Sequence, residues 1–244
     1  MATNTPLPTG TNTFLPLHRA TNPVTGVLAK STGICTGHVT TNPITGVLDP
    51  AGMWRSICWV TDRVALSGDL NTEWPSRGNA QLQAWVDAGI TDIIDVRGEC
   101  SDERFVALNA PHVRYHWFGT HDEGYEQPDA WFEQGVQAAD ELLADPTRKV
   151  MVHCHMGVNR GPTMGFAILV SQWHDPIEVL EAIRAARPIA GILYAEHAID
   201  WWHRTQGTPE TVAHRERRRV RDWMSANAVD VSWVISRISR AKAS

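Results

Sequence analysis

The stretch Val150-Met-Val-His-Cys-His-Met-Gly-Val-Asn-Arg-Gly-Pro-Thr163 decides the fold predicted for this chain. Its first residues are apolar and partly β-branched, which predicts a buried strand that runs into Cys154. Five residues separate Cys154 from Arg160, and Gly161-Pro162 follows. Proline is favoured at the first position of a helix, where its missing N–H is harmless. We therefore expect a strand, a tight loop and a helix in direct succession.

The loop of this stretch has the form of an anion-binding cradle. Its backbone N–H groups can turn inward around an anion, and the following helix adds the positive end of its dipole. Gly157 lets the backbone bend closely around a ligand. The same surroundings favour the thiolate form of Cys154, and Arg160 is suited to hold two phosphoryl oxygens side by side. The pattern predicts Cys154 as a nucleophile and a substrate-binding loop made of His155, Met156, Gly157, Val158, Asn159 and Arg160.

Strand and helix signals alternate on both sides of the loop. Short runs rich in Val, Ile and aromatic residues predict strands at 56–60, 64–66, 91–96, 113–118 and 149–153. Apolar residues at three- and four-residue spacing predict helices at 78–88, 129–143, 162–173, 176–186 and 193–205. The expected fold class is α/β, with a central, mostly parallel sheet of about five strands flanked by helices, an irregular N-terminal arm and a helical C-terminal extension.

Three regions are predicted from shifts in composition. Residues 1–52 form an extended arm with a twofold TNPxTGVL repeat at 21–28 and 41–48, interpreted either as two surface turns or as a strap that mediates dimerisation or covers the substrate loop. Residues 53–206 form the globular domain, and residues 207–244 a basic helical extension. From residue 208 the chain has eight Arg or Lys residues and four acidic ones. We expect this tail to pack on the domain through Trp223, Trp233 and Ile238, with contact to an anionic membrane or RNA as the alternative.

Charge and cysteine usage exclude several classes of protein. The 244 residues carry a formal net charge of -5, which argues against a protein that coats nucleic acid. The four cysteines include no CxxC pair, so neither a disulfide framework nor a zinc ribbon is indicated. No signal peptide and no apolar run long enough to span a membrane is visible. The expectation is a cytoplasmic protein without metal or cofactor.

His153-Cys154-x5-Arg160 resembles the signature of protein tyrosine phosphatases, particularly the compact dual-specificity branch. The resemblance covers about residues 56–205 and includes Leu66-Ser-Gly-Asp69, Ala88-Gly-Ile-Thr-Asp-Ile-Ile94 and Arg187-Pro188. It implies hydrolysis of phosphomonoesters in phosphorylated proteins or small molecules through a cysteinyl-phosphate intermediate. Because the loop has no lysine, whereas phosphoinositide-directed relatives often place basic residues there, a monophosphate ester is the favoured substrate.

The resemblance also calls for a general acid about thirty residues before the cysteine. Asp122 lies 32 residues before Cys154, in the polar loop Gly119-Thr-His-Asp-Glu-Gly124 that follows a predicted strand. Such a loop can swing over a site and deliver a proton to the leaving oxygen. Glu123 is the neighbouring alternative, and Asp122 could otherwise only cap a turn.

Two supporting positions follow from the family pattern. The family usually places Ser or Thr directly after the arginine, where its hydroxyl helps the thiolate to leave, but this chain has Gly161. Thr163 is the residue that could compensate, and slow breakdown of the intermediate is otherwise expected. His153 would steady Cys154 from the strand end, with a core histidine as the alternative.

Four alternatives to a phosphatase stay open at this point. Ile94-Asp-Val-Arg97 resembles a strand of rhodanese-like sulfurtransferases, although a strand-end ion pair explains it more simply. Asn159-Arg160 resembles RNA 5'-triphosphatases of the capping pathway, which do not depend on the aspartate. A weak phosphate-binding module is suggested by Gly161, and Cys154 could be a structural core cysteine. A metal site of His153, Cys154 and His155 is disfavoured because alternating strand residues point to opposite faces.

Overall fold

The computed structural model describes the backbone of Cys35–Thr36 and residues 49–172 and 174–242. Its strands form one six-stranded sheet in the order β1-β2-β3-β6-β4-β5. Strand β2 pairs antiparallel with both β1 and β3, whereas β3, β6, β4 and β5 run parallel. The strands are β1 (Cys35–Thr36), β2 (Ile57–Trp59), β3 (Val64–Ser67), β4 (Asp92–Arg97), β5 (Arg114–Thr120) and β6 (Val150–His153). The predicted α/β class is confirmed, and β1 adds a strand from the region predicted as an arm.

Nine helices belong to the described residues. They are α1 (Pro50–Met53), α2 (Pro75–Asp87), α3 (Glu103–Asn109), α4 (Asp129–Leu143), α5 (Arg160–Ser171), α6 (Pro176–Ala186), α7 (Ala195–Thr205), α8 (Glu210–Ala226) and α9 (Val231–Lys242). Helices α4 and α6 have the predicted bounds. Helix α3 was not expected, because Val106 is the only buried side chain of its seven residues and leaves no apolar period to detect.

Helices cover both faces of the sheet. Ile93 of β4 and Met151 of β6 pack with Leu82 and Trp85 of α2 on one face. Their neighbours Ile94 and Val152 point to the other face, into the core formed with α4 to α7. All twelve residues of α5 are buried, so this helix lies inside the second layer. Each fully buried large apolar side chain there contributes about 1.5–3 kcal/mol, and this packing fixes the position of the loop before α5.

The start of α5 differs from the predicted one. The helix begins at Arg160, so Pro162 occupies the third helical position and not the first. Proline fits there because the first four N–H groups of a helix have no partner within the helix. The correction places Arg160 itself in the first turn, at the positive end of the helix.

The C-terminal helices pack on the domain. Helix α8 lies against α6 and α7, with Val220 fully buried, and α9 buries Ile238. Trp223 is half-buried against the core, but Trp233 is 44% exposed and is not the anchor that the sequence predicted. None of the helices in the described ranges is long and apolar enough to cross a membrane.

Two predictions concern residues that the structure describes only in part or not at all. The TNPxTGVL repeat lies outside the described residues. Within the predicted arm, Asp49 caps α1 by accepting from the N–H of Ala51 at 3.1 Å, so ordered structure begins before residue 53. The three-region division, and an arm-mediated dimer with it, stay predictions.

Candidate functional site

The Cys154 loop lies at the carboxyl end of β6, between the parallel strands β3 and β4. Sites of open α/β sheets lie at this end of the strands. Cys154 is 2% exposed, and Val158 and Asn159 are also buried. His155 and Met156 are only half-buried. The predicted loop is therefore assembled as one unit, with its nucleophile candidate at the bottom.

Gly157 is the position where the loop needs glycine. Its φ is +63°, in the left-handed region that side chains disfavour. A Cβ atom there would lie 2.3 Å from Nη2 of Arg187 and 2.6 Å from the carbonyl oxygen of Ser67. Both the turn and the close approach of Arg187 therefore depend on this glycine.

Four carbonyl groups of the Cys154 loop accept hydrogen bonds from residues outside the loop. The buried guanidinium of Arg187 donates to the carbonyls of Met156 at 3.1 Å and Gly157 at 2.5 Å. The carbonyl of His155 accepts from the Asp69 N–H at 2.9 Å, and the carbonyl of Val158 accepts from the Gly191 N–H at 2.6 Å. Because the C=O and N–H of a peptide unit point in opposite directions, the amides of residues 156–159 are turned inward. The arrangement is a nest of donors for an anion.

Arg160 is oriented by a residue that the sequence reading missed. Glu99, just after β4, accepts from Nη1 at 2.6 Å and from Nη2 at 2.8 Å. Nη1 also donates to the carbonyl of Thr120 at 2.8 Å. Within the described residues the buried Nε–H has no hydrogen-bond partner. The Nε/Nη2 edge of the guanidinium faces Oδ2 of Asp122 at 3.5 Å without a hydrogen bond, and it is the edge that can bind two oxygens of a ligand.

The charges around Arg160 act on one another. Burial alone would lower the pKa of Arg160, but the bonds to Glu99 and the negative charges of Cys154, Glu99 and Asp122 hold it above its ordinary value. The hydrogen bonds from Arg160 in turn lower the pKa of Glu99 to about 2. Glu99 is therefore a carboxylate at neutral pH, and Arg160 shares its surroundings with both predicted catalytic partners.

Asp122 reaches the same place from the loop after β5. Its Oδ1 accepts from Nδ2 of Asn159 at 2.7 Å and from the Tyr194 hydroxyl at 2.8 Å, and its Oδ2 lies 3.5 Å from Nε of Arg160. The side chain is 36% exposed. Asp122 therefore does more than cap a turn, because its carboxylate joins its own loop to the Cys154 loop. Glu123, the alternative acid, is exposed.

His153 and Thr163 are both fully buried beside the loop. The His153 ring packs edge-on against Trp85 at 5.6 Å, and its Nε2 lies 3.9 Å from Asp95. Burial lowers the pKa of His153 despite the opposing charge of Asp95, so the ring is neutral at neutral pH. The Thr163 hydroxyl donates to Oδ1 of Asn159 at 3.4 Å. Support of Cys154 by these two residues stays a prediction.

One group of side chains in the described ranges has metal-ligand character. Asp95, Asp102 and His153 present ligand atoms within 4.8 Å of one another. The Arg97 guanidinium lies among them, 2.7 Å from Asp95 and 2.6 Å from Asp102. A buried arginine thus provides the cation that these two carboxylates need. Asp95 and Arg97 form the strand-end ion pair expected from the sequence.

No protein-family model matches the sequence, and no curated protein does. Among solved structures, the chain is similar to DUSP15, with 18% identity over 68% of this chain and 95% of that chain at a TM-score of 0.49. It is also similar to Tk-PTP in the active form, with 18% identity over 64% and 100% at 0.48, and to PTPMT1 in complex with PI(5)P, with 20% identity over 60% and 94% at 0.48. These neighbours have the tyrosine and dual-specificity phosphatase fold. At such low identity, the chemistry of this chain has to be argued from its own side chains.

Three functional contacts were missed in the sequence. Glu99 follows the buried strand β4, which pairs in parallel with β6. Because the carboxyl ends of parallel strands lie at the same edge of a sheet, Glu99 could have been predicted to lie near the Cys154 loop. Arg187 was noticed as part of a motif, but its five acceptors come from segments as far as 133 residues away. Tyr194 carries no local signal of its bond to Asp122, because 72 residues separate the two.

Proposed function

We propose that this chain is a phosphatase that hydrolyses phosphomonoesters, with phosphotyrosine, phosphoserine or phosphothreonine of proteins as substrates, through a cysteinyl-phosphate intermediate. The observation that carries the proposal is the buried Nε–H of Arg160, which makes no hydrogen bond among the described residues and lies beside Cys154 and the inward amides of the loop. A buried donor without a partner costs about 1–3 kcal/mol. An anion with several oxygens would satisfy it together with the amides.

In the first step, the Cys154 thiolate attacks phosphorus and the bond from phosphorus to the leaving oxygen breaks. The amides of residues 156–159 and the Nε/Nη2 edge of Arg160 hold the three remaining oxygens, on which charge is spread in the transition state. Asp122, whose Oδ2 lies 3.5 Å from Nε of Arg160, enters this step in its protonated form and gives its proton to the leaving oxygen. The products of this step are the free alcohol or phenol and phosphocysteine.

In the second step, water attacks the phosphorus of the phosphocysteine. Asp122, now a carboxylate, takes a proton from the water, and the sulfur–phosphorus bond breaks to return the thiolate and inorganic phosphate. In place of a hydroxyl beside the leaving sulfur, this chain has Gly161, whose Cβ position would be 3.1 Å from the Cys154 nitrogen. We expect this step to be the slower one.

The structure also bears on the two rival enzyme classes. The carboxylate of Asp122 is bonded to Asn159 of the loop, which supports an acid-dependent phosphatase over an RNA 5'-triphosphatase that does not use the aspartate. Arg97, which suggested a rhodanese-like strand, is engaged with Asp95 and Asp102 below the loop. This ion pairing supports a structural role for Arg97.

The test is hydrolysis of p-nitrophenyl phosphate in EDTA between pH 5 and 8. We expect activity in wild type, none in Cys154→Ser, and loss of one limb of the pH profile in Asp122→Asn. The matched control is Asp62→Asn, an exposed aspartate in the turn between β2 and β3, at the opposite end of the sheet. Activity that persists in Cys154→Ser, or thiosulfate sulfurtransfer in its place, would overturn the proposal. A full pH profile in Asp122→Asn would favour the triphosphatase class.

A further inference from the structure

Helix α9 packs directly on the outer side of the Cys154 loop. Val234 and Ile238 of α9 are 3% and 0% exposed, and they share one apolar cluster with Val158 of the loop and with Trp54. The Asp230 carboxylate accepts from the Trp233 N–H at 2.8 Å and caps the start of the helix. These contacts fix the register of α9 relative to the loop.

Lys242 lies one helical turn beyond Ile238, on the same face of α9. Its Nζ is 3.2 Å from Nε2 of His155, the residue next to Cys154, and 5.5 Å from the centre of the Trp54 ring. The ring of Trp54 attracts the ammonium by a cation–π interaction. The last turn of α9 thus brings a cation to the rim of the Cys154 loop, which has no lysine of its own.

His155 presents an acceptor to Lys242 because Asp69 holds its other nitrogen. Nδ1 of His155 lies 2.8 Å from Oδ2 of Asp69, so the geometry assigns the proton to Nδ1 and leaves Nε2 as acceptor. Burial alone would raise the pKa of Asp69, but the bond to His155 and the charge of Arg55 keep it below the usual value. The Asp69 carboxylate is thereby engaged with Arg55 and His155.

In the described part of the chain, Lys242 forms no ion pair with a carboxylate. Its polar contact there is Nε2 of the His155 ring. Three arginines of α8 differ. Arg217 is paired with Glu196 and Asp200, Arg219 with Asp175 and Glu216, and Arg221 with Glu196. Arg218 contacts a ring nitrogen, but that of His214 in its own helix, so what distinguishes Lys242 is its contact with His155 of the Cys154 loop.

We propose that Lys242 and His155 form a second anion subsite, which selects phosphopeptides that carry an acidic residue next to the phosphorylated one. This inference rests on the proposed function. A peptide suits the site better than a small bisphosphate because the Asp122 and Asn159 side of the loop has two exposed apolar residues. Tyr125 is 73% and Leu193 55% exposed, and the Leu193 N–H donates to Asn159 at 2.7 Å. Side chains of a peptide can contact these residues while its carboxylate meets Lys242.

The test compares three substrates in wild type, Lys242→Met, Lys242→Arg and the control Arg237→Met, which removes a charge from the same helix. The substrates are a phosphotyrosine peptide with flanking aspartates, the same peptide with asparagines, and p-nitrophenyl phosphate. In wild type we expect kcat/KM to favour the acidic peptide by about threefold to fivefold, a preference typical of one solvent-exposed ion pair. Lys242→Met should lose it, Lys242→Arg and Arg237→Met should keep it, and high salt should weaken it in wild type.

The outcomes separate this inference from the function on which it rests. If wild type hydrolyses all three substrates but shows no preference for aspartates, or if Lys242→Met slows all three equally, the subsite does not exist. If Lys242→Met keeps the preference for the acidic peptide, the assignment of the peptide carboxylate to Lys242 is wrong. If wild type hydrolyses none of the substrates, the phosphatase proposal fails first.

Discussion

Replacement of Glu99 by glutamine tests whether the orientation of Arg160 controls the site. Glu99 accepts two charge-assisted hydrogen bonds from Arg160, at 2.6 and 2.8 Å. Glutamine keeps one acceptor oxygen but turns an NH2 group toward an N–H of the guanidinium, and it removes the charge. A hydrogen bond to a charged group contributes about 1.5–3 kcal/mol. The loss of one such bond in Glu99→Gln should lower kcat/KM for p-nitrophenyl phosphate by about 10- to 100-fold.

The stability effect of Glu99→Gln should be smaller than its effect on activity. The pKa of Glu99 falls from 4.5 to about 2 in the folded chain, which corresponds to about 3 kcal/mol without screening. Because the side chain is 43% exposed, solvent screening reduces this to about 1 kcal/mol. The pKa is depressed on folding, so this stability is present above about pH 4.5 and is lost as the pH falls toward 2. Urea unfolding at pH 7 and at pH 3 measures it.

The control for Glu99→Gln is Glu103→Gln, which removes the charge of an exposed glutamate at the start of α3. It should leave kcat/KM and the urea midpoint unchanged. The inhibition constant of inorganic phosphate should rise in Glu99→Gln, because a wrongly turned guanidinium binds the anion less well. A folded Glu99→Gln protein within about twofold of wild type in kcat/KM would refute the reasoning, because Arg160 would then need no orienting partner.

Three further substitutions, with Gly124→Ala as the control for the first, probe the Cys154 loop and its support. Gly157→Ala should lower the free energy of unfolding by at least about 2 kcal/mol, because its Cβ would meet Arg187. Gly124→Ala, at φ +79° with open space around it, should cost about 1 kcal/mol; equal costs would contradict the close-contact argument. Arg187→Met leaves loop carbonyls without a donor, so it should lower the free energy of unfolding by about 3 kcal/mol and also lower kcat/KM. An unchanged urea midpoint would contradict this role of Arg187. Stopped-flow should show a product burst in wild type that Gly161→Ser diminishes, and a wild type without a burst would show that Gly161 does not limit the reaction.

The local parts of the site were predictable from the sequence, and the distant partners were not. Cys154 and Arg160 belong to one strand–loop–helix unit, so chain order alone brings them together. Asp122 was predicted from the family resemblance, which calls for an acid about thirty residues before the cysteine, and it lies in the loop after β5 of the same sheet. Its role as the acid stays a prediction. Glu99, by contrast, is 61 residues from Arg160. Its contact depends on how β4 is placed beside β6, which periodicity does not reveal.

Helix boundaries show a second physical limit. Helix α5 begins two residues before its proline because an N-terminal turn tolerates a missing N–H at several positions. Helices α1 and α3 escaped prediction because four and seven residues bury too few side chains to produce a period. In all three cases tertiary packing, which a sequence pattern reports only indirectly, decides where the chain becomes helical.

The basic C-terminal extension shows why charge content does not by itself indicate a partner. The run of arginines in α8 was the basis of the alternative prediction, contact with an anionic membrane or RNA. Arg217, Arg219 and Arg221, however, have carboxylate partners on the domain or in their own helix. Exposed pairs of this kind contribute little each, but they offset the charge that an external polyanion would need. Lys242 belongs to the less basic helix α9, and its Nζ lies 3.2 Å from Nε2 of His155 in the Cys154 loop. The position of a cation beside the candidate site is therefore a better guide to ligand chemistry than the number of arginines.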